Sequence, residues 1–272
     1  MNLDKELEIA KQAALEAGEA ILKVYNRKIT FREKANSQGP VTEADLLADR
    51  IICNRLSKDF PEDGIISEER DDDVTRISKK RVWCIDPLDG TKDFLMKNGE
   101  FAVHIGLIID GSAALGVVYL PFFKKLYYGS EDYGAFVDFE GKTRQLKTSD
   151  HFLTSEMTMV ASRSHRTEKL QSYFDSINFK KEIVHGSVGA KIALIMEGQA
   201  DFLIYFSSFT KEWDICAPDA ILKGAGGTVS DVRGDSIKYN KKELNNPWGI
   251  LASNGSNHQT LLDSVKSFQK RL

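Results

Sequence analysis

The residue patterns of this chain predict an α+β fold, with an antiparallel sheet after two helices and an α/β stretch beyond it. Three observations carry the prediction. Two helical periodicities open the chain, four strand-like runs joined by turn signals follow, and from about Ser149 strand-like and helix-like runs alternate.

In the first helix, Leu3, Leu7, Ala10, Ala14, Ala17, Ile21 and Val24 recur at steps of four and three, which puts them on one face. A polar loop over residues 34–40 separates it from Thr42-Glu43-Ala44-Asp45. That segment reads as a capping box opening a second helix through Ile51, Ile52 and Leu56, which residues 61–64 break. The acidic run Asp71-Asp72-Asp73 and the basic run 79–81 read as solvated loop. Residues 82–85 read as a strand that ends at Asp86. Strands are then expected at 101–109, 113–120, 125–129 and 135–139, with Asp110-Gly111 as the hairpin signal between the first two. In the later half, strands are expected at 158–161, 181–184, 201–205 and 249–252. Helices are expected at 167–177, 187–197, 214–223 and 258–271. The expected division is an N-terminal half, 1–148, carrying most of the candidate ligands. A C-terminal half, 149–272, would contribute Asp214 and substrate loops, with the site between the two.

Composition narrows the class of function. A net charge of −3 argues against a nucleic-acid coat or a polybasic membrane patch, so no polymer partner is expected. The three cysteines, Cys53, Cys84 and Cys216, are far apart with no CxxC pair, which favours buried free thiols over disulfides or zinc. Asp4, Glu6 and Glu8 interrupt the N-terminus where a secretory leader needs an apolar run. No transmembrane segment is expected, because no apolar run approaches the ~20 residues of a span. A cytoplasmic location is the expectation, and contact with the inner membrane face stays open.

Asp86-Pro87-Leu88-Asp89-Gly90-Thr91 is the most informative segment. Two carboxylates this close repel unless a cation lies between them, and Mg²⁺ takes few carboxylates plus waters and substrate phosphate. The amides of Gly90 and Thr91, opening a short helix, would add an anion site. Spacing alone leaves a type I turn equally open. Glu68-Glu69 after an apolar pair reads by itself as loop acids. Asp214 reads as a helix cap, Asp45 as the acid of the capping box, Ser162-Arg163-Ser164-His165 as a polar loop, and Gly186-Ser187 with Lys191 as a helix start or a phosphate grip. No GxxxxGKS or GxGxxG occurs.

The order Glu68-Glu69, Trp83-Cys84-Ile85-Asp86-Pro87-Leu88-Asp89-Gly90-Thr91 and Trp213-Asp214 resembles the inositol-monophosphatase superfamily over nearly the whole chain. Within it, several segments resemble the CysQ-type 3'(2'),5'-bisphosphate nucleotidase branch. They are Pro40-Val41-Thr42 with Asp45, Lys92-Asp93-Phe94, Asn98-Gly99-Glu100-Phe101, Ser162-Arg163-Ser164-His165 and Gly186-Ser187. The resemblance implies a layered α-β-α-β-α sandwich and two or three Mg²⁺ ions. By position, Glu68, Asp86 and the Leu88 carbonyl would hold one ion, and Asp86, Asp89 and Asp214 another. Asp45, Glu68 and Thr91 would be catalytic, with Asp45 paired to Thr91. Glu68, Leu88, Asp89, Gly90, Thr91 and Asp214 would meet the substrate's phosphate, and Ser162, His165, Ser187 and Lys191 its nucleoside. Ser187 stands where some relatives have glycine.

No Ser or Cys nucleophile with an adjacent base is evident, so water activated by the metals is the expected attacking group. The reaction implied is hydrolysis of adenosine 3',5'-bisphosphate to AMP and phosphate, with phosphoadenosine phosphosulfate as a second substrate and sensitivity to lithium. The competing readings are an inositol phosphate or fructose 1,6-bisphosphate phosphatase and, from another class, a silent nucleotide-sensing module.

Overall fold

The structure, a computed structural model, describes residues 2–33, 39–164 and 166–270. In chain order the elements begin with α1 Asp4–Tyr25, β1 Phe31–Glu33, β2 Pro40–Thr42, α2 Glu43–Asp59, β3 Gly64–Ser67, β4 Arg81–Asp89 and α3 Thr91–Leu95. Five strands follow: β5 Ala102–Ile109, β6 Ser112–Leu120, β7 Lys125–Ser130, β8 Gly134–Phe139 and β9 Lys142–Gln145. The rest alternates: β10 Thr158–Ser162, α4 Glu168–Ser176, β11 Lys181–His185, α5 Val188–Met196, β12 Phe202–Tyr205, α6 Glu212–Gly224, β13 Thr228–Ser230, β14 Ile250–Ser253 and α7 His258–Gln269.

Strands β3 to β9 form one seven-stranded sheet in sequence order, antiparallel except for the β3–β4 edge pair. A second sheet has the order β11-β10-β12-β14-β13. The apolar face of α1, including Leu7, Ala10, Ala14 and Ile21, packs with α2 against the outer face of the first sheet. Helices α5 and α6 fill the space between the sheets with Ile192, Ile195, Ala217 and Ile221. Helices α4 and α7 cover the far face of the second sheet through Leu170, Tyr173, Leu261 and Val265. That is the layered α-β-α-β-α sandwich.

Local signals act as the sequence suggests. Thr42 caps α2 through its hydroxyl, and Asp45 returns the bond to the Thr42 N–H at 2.8 Å. Asp110 and Gly111 both have positive φ, +48° and +76°, as a two-residue turn between twisted strands requires. Strand β4 does not stop at Asp86. It runs through Pro87 to Asp89, with a register shift against β5 between the two acids. An irregularity there re-aims side chains, and both acids line the same cavity. The acidic run at 71–73 is exposed, yet Asp72 reaches back to the fully buried Arg76 with N–O distances of 2.5 and 2.7 Å. The three cysteines are free and buried. Among the described residues, no helix is long and apolar enough to cross a membrane.

A glycine stripe sets how closely the middle layer approaches. Gly106 pairs with Gly116, and Gly116 with Gly129, across β5, β6 and β7. Helix α6 lies on the first two. A Cβ at Gly106 would sit 2.6 Å from the Cys216 sulfur, and one at Gly116 2.1 Å from the Ala217 carbonyl oxygen.

Under the second sheet, His258 makes an acid-sensitive contact. Ser230 Oγ gives its proton to the Asp231 carbonyl, so it accepts from His258 Nε2 at 2.9 Å, while Ser253 Oγ lies 2.8 Å from Nδ1 and can donate. This arrangement serves the neutral ring, and burial lowers the pKa of His258 to about 4. In the unfolded chain a histidine titrates near ~6.5, so between these values the unfolded chain binds the extra proton. Stability is therefore expected to be full above about pH 6.5 and to fall progressively toward pH 4. Urea melts across that window should show a shallower pH slope for His258→Gln than for wild type, and equal slopes would refute this.

Candidate active site

The C-terminal end of β4, the start of α3 and the first turns of α5 and α6 converge on a cavity of about 390 Å³. Glu68, Asp86, Leu88, Asp89, Gly90, Thr91, Ser162, Ser187, Lys191 and Asp214 all line it. Asp45 lies just behind, joined through Thr91. His165 lies outside the described residues.

Asp86, Asp89 and Asp214 each place a carboxylate oxygen within 4.8 Å of the other two. Asp86 is fixed by the Leu88 N–H, which donates to its Oδ1 at 3.0 Å. Asp89 Oδ2 accepts from the Ser187 hydroxyl and from the Gly189 N–H at 2.9 Å, so the start of α5 grips it. Asp214 is not the first residue of its helix. Lys211 precedes α6, and Asp214 in the first turn accepts from the Lys211 N–H at 2.6 Å. The cap is thus made from inside the helix, which leaves the other carboxylate oxygen of Asp214 for the cavity. Glu68 lines the same cavity without joining the three-carboxylate cluster.

The electrostatics favour a cation here. Burial, with the charges of Asp89 and Glu68, pushes Asp214 well above the usual carboxylate range. Burial acts the same way on Asp89, but His104, Lys191 and the Ser187 hydroxyl outweigh it and hold that group at about 2. Burial draws Lys191 down to about 8 against the pull of Asp89, Asp93, Glu100 and Asp214. Its Nζ donates to the Ser187 carbonyl at 2.5 Å, which ties the ammonium to the turn before α5. Crowded carboxylates whose oxygens converge are a donor set for a hard divalent ion.

Backbone conformation builds the surrounding turns. Gly90 sits at φ +90°, and a Cβ there would meet the Glu100 carbonyl oxygen at 2.9 Å. Ser187 also has a positive φ, +51°, a region that favours glycine. The strain is retained alongside two bonds glycine could not make, from its hydroxyl to Asp89 and to the hydroxyl from the Ala190 N–H. Thr91 Oγ1 lies 3.1 Å from Asp45 Oδ1 and 3.2 Å from the Leu88 carbonyl, both acceptors for its one proton.

Sequence reasoning missed His104. It is fully buried on β5, directly across the ladder from Asp86, with Nε2 3.2 Å from Asp89 and Nδ1 3.3 Å from the Trp213 carbonyl. One histidine in an apolar strand carries no signal that distinguishes it from core. Phe209 and Lys211, also on the cavity wall, carry no such signal either, whereas Trp213 stands in the Trp213-Asp214 pair of the family likeness.

Sheet topology and clustered acids together define a layered-sandwich phosphatase, and the comparisons agree. The chain belongs to the inositol monophosphatase family, whose model matches residues 2–270, and metal dependence is general in that family. Within it, the chain is 36% identical over 241 residues to the 3'(2'),5'-bisphosphate nucleotidase CysQ of Salmonella typhimurium, covering 87% of this chain and 95% of that one. The crystal structure of CysQ from Bacteroides thetaiotaomicron superposes with a TM-score of 0.78 at 32% identity, over 92% and 97% of the two chains. An IMPase of Thermotoga maritima has the same fold, with a TM-score of 0.83 at 24% identity over 98% and 99%.

Proposed function

We propose that the protein is a magnesium-dependent 3'(2'),5'-bisphosphate nucleotidase that converts adenosine 3',5'-bisphosphate to AMP and phosphate. Phosphoadenosine phosphosulfate would be a second substrate. The observation that carries the reading is the Asp86, Asp89 and Asp214 cluster in a cavity that Phe209 and Trp213 also line. Clustered carboxylates suit metal ions, which in turn bind a phosphate, and aromatic side chains suit a base.

Glu68, Asp86 and the Leu88 carbonyl would hold one magnesium ion, and Asp86, Asp89 and Asp214 a second. Bound there, the ions would make water a better nucleophile and neutralise the leaving oxygen. Thr91 gives its proton to Asp45, which turns an oxygen lone pair toward the cavity, and with Glu68 it orients the attacking water. The amides of Gly90 and Thr91, at the opening of α3, take phosphoryl oxygens. By the family likeness, Ser162, Ser187 and Lys191 would contact the nucleoside end, together with His165, which lies outside the described residues.

The test is phosphate release from adenosine 3',5'-bisphosphate, inositol 1-phosphate and fructose 1,6-bisphosphate, with and without Mg²⁺. The nucleotide is expected to have the highest kcat/KM, and activity is expected to vanish on chelation. A preference for either of the other substrates would overturn the substrate assignment. Binding of the nucleotide without turnover would overturn the assignment as an enzyme.

A further inference from the structure

Arg163 does not line the cavity, yet three segments that do are fastened through it. Its Nη1 donates to Asp93 Oδ1 at 2.8 Å and also to Glu100 Oε2, and its Nη2 donates to Glu100 Oε1 at 3.1 Å. The acids are set in place before they meet it. Asn98 Nδ2 donates to Asp93 Oδ1 at 2.6 Å, and the Glu100 N–H donates back to the Asn98 side chain at 2.9 Å. Glu100 Oε2 then accepts the Gly186 N–H at 2.6 Å, and the Arg163 N–H donates to the His185 carbonyl at 3.3 Å. Gly186 is pressed against the other acid, since a Cβ there would sit 2.2 Å from Asp93 Cγ.

The cluster therefore joins α3 and the loop after it to the end of β10 and to the turn before α5. Two of its members, Asp93 and Gly186, line the cavity themselves, and neighbours of the members continue the wall: Lys92 beside Asp93, Ser162 and Ser164 beside Arg163, and Ser187 beside Gly186. An isolated surface ion pair contributes little. Here the arginine is forked on one carboxylate, a second carboxylate is almost fully buried, and a backbone amide completes the set, which is the geometry that fixes position.

We propose that Arg163 is a positioning residue for the nucleoside end of the substrate. With Asp93 and Glu100, it locks the Ser162–Ser164 segment and the Gly186–Ser187 turn to the Asp89–Thr91 turn. The nucleoside subsite and the phosphate subsite are thereby held at a fixed separation. The proposal rests on the nucleotidase reading and names the residue that makes that site selective for a nucleotide.

The experiment compares wild type, Arg163→Gln, Arg163→Lys and Glu100→Gln on adenosine 3',5'-bisphosphate and on glycerol 2-phosphate, which has a phosphate but no base. For the nucleotide, KM is expected to rise about tenfold or more in Arg163→Gln and Glu100→Gln, with kcat changed less than threefold. Arg163→Lys should recover only part of the loss, because an ammonium cannot fork onto Glu100. For glycerol 2-phosphate, kcat/KM should stay within about twofold in every variant. An unchanged nucleotide KM overturns the proposal. An equal loss on both substrates, with a lowered melting temperature, also overturns it and marks the cluster as general support of the fold. A wild-type enzyme with no preference for the nucleotide overturns the nucleotidase reading itself, and this proposal with it.

Discussion

Asp86→Asn is expected to lower kcat by about 10³-fold or more while leaving the fold intact. The side chain is 1% exposed and is one of three carboxylates whose oxygens converge within 4.8 Å. Asparagine has almost the same shape, and its carbonyl oxygen can still accept the Leu88 N–H that shapes the turn. What it lacks is the negative charge that binds a hard cation. Metal stabilisation of transition-state charge amounts to several kcal/mol, and each ~1.4 kcal/mol is a factor of ten in rate. Without metal, removing one of several crowded buried negative charges should leave the melting temperature unchanged or raise it. With Mg²⁺ added, wild type should gain stability and the variant far less. Phosphate release titrated with Mg²⁺, beside thermal melts with and without it, checks both parts. Turnover near the wild-type rate at saturating Mg²⁺ would remove Asp86 from the ligand set, and loss of folding would make the activity loss uninformative about charge.

Gly116→Ala should produce a large loss of stability, and a loss of activity with it. The added methyl would sit 2.1 Å from the Ala217 carbonyl oxygen and 2.9 Å from its carbon. Both atoms belong to the backbone of α6, so no side chain can rotate away and the helix must move. Overpacking of this kind costs about 1–3 kcal/mol, and more where backbone is the obstacle. Asp214 travels with α6, and a displacement of ~1 Å at a catalytic group can cost on the order of 10²-fold in rate. Denaturant unfolding should show a lower midpoint with an unchanged slope, and the Mg²⁺ concentration for half-maximal activity should rise. Wild-type behaviour in both would mean that the sheet and α6 tolerate a wider spacing than this contact implies.

Much of the architecture was legible because it is written in short-range patterns. The face of α1 follows from steps of three and four, the β5–β6 hairpin from Asp110-Gly111, and the start of α2 from Thr42 and Asp45. What went unread lacks a local signature. Strand β9, Lys142–Gln145, is exposed along its whole length, so no alternation marks it. Strands β1 and β13 have three residues each, too few for any period to show. The extension of β4 through Pro87 contradicts what proline predicts inside a sheet, and a register shift accommodates it.

The candidate site divides along the same line. The sequence by itself determined the chemical inventory: the carboxylates Glu68, Asp86, Asp89 and Asp214, the Thr91 hydroxyl, the family likeness, and the local turn at Gly90. Only the tertiary structure decided which carboxylates converge, that Ser187 and the Gly189 amide grip Asp89, that His104 lies behind it, and that Arg163 ties three distant segments together. The physical reason is range. Periodicity, capping and turn preference act over a few residues. Convergence of Asp214 on Asp86 instead depends on how closely α6 can lie on the sheet, which Gly106 and Gly116 set from strands that look unremarkable in one dimension.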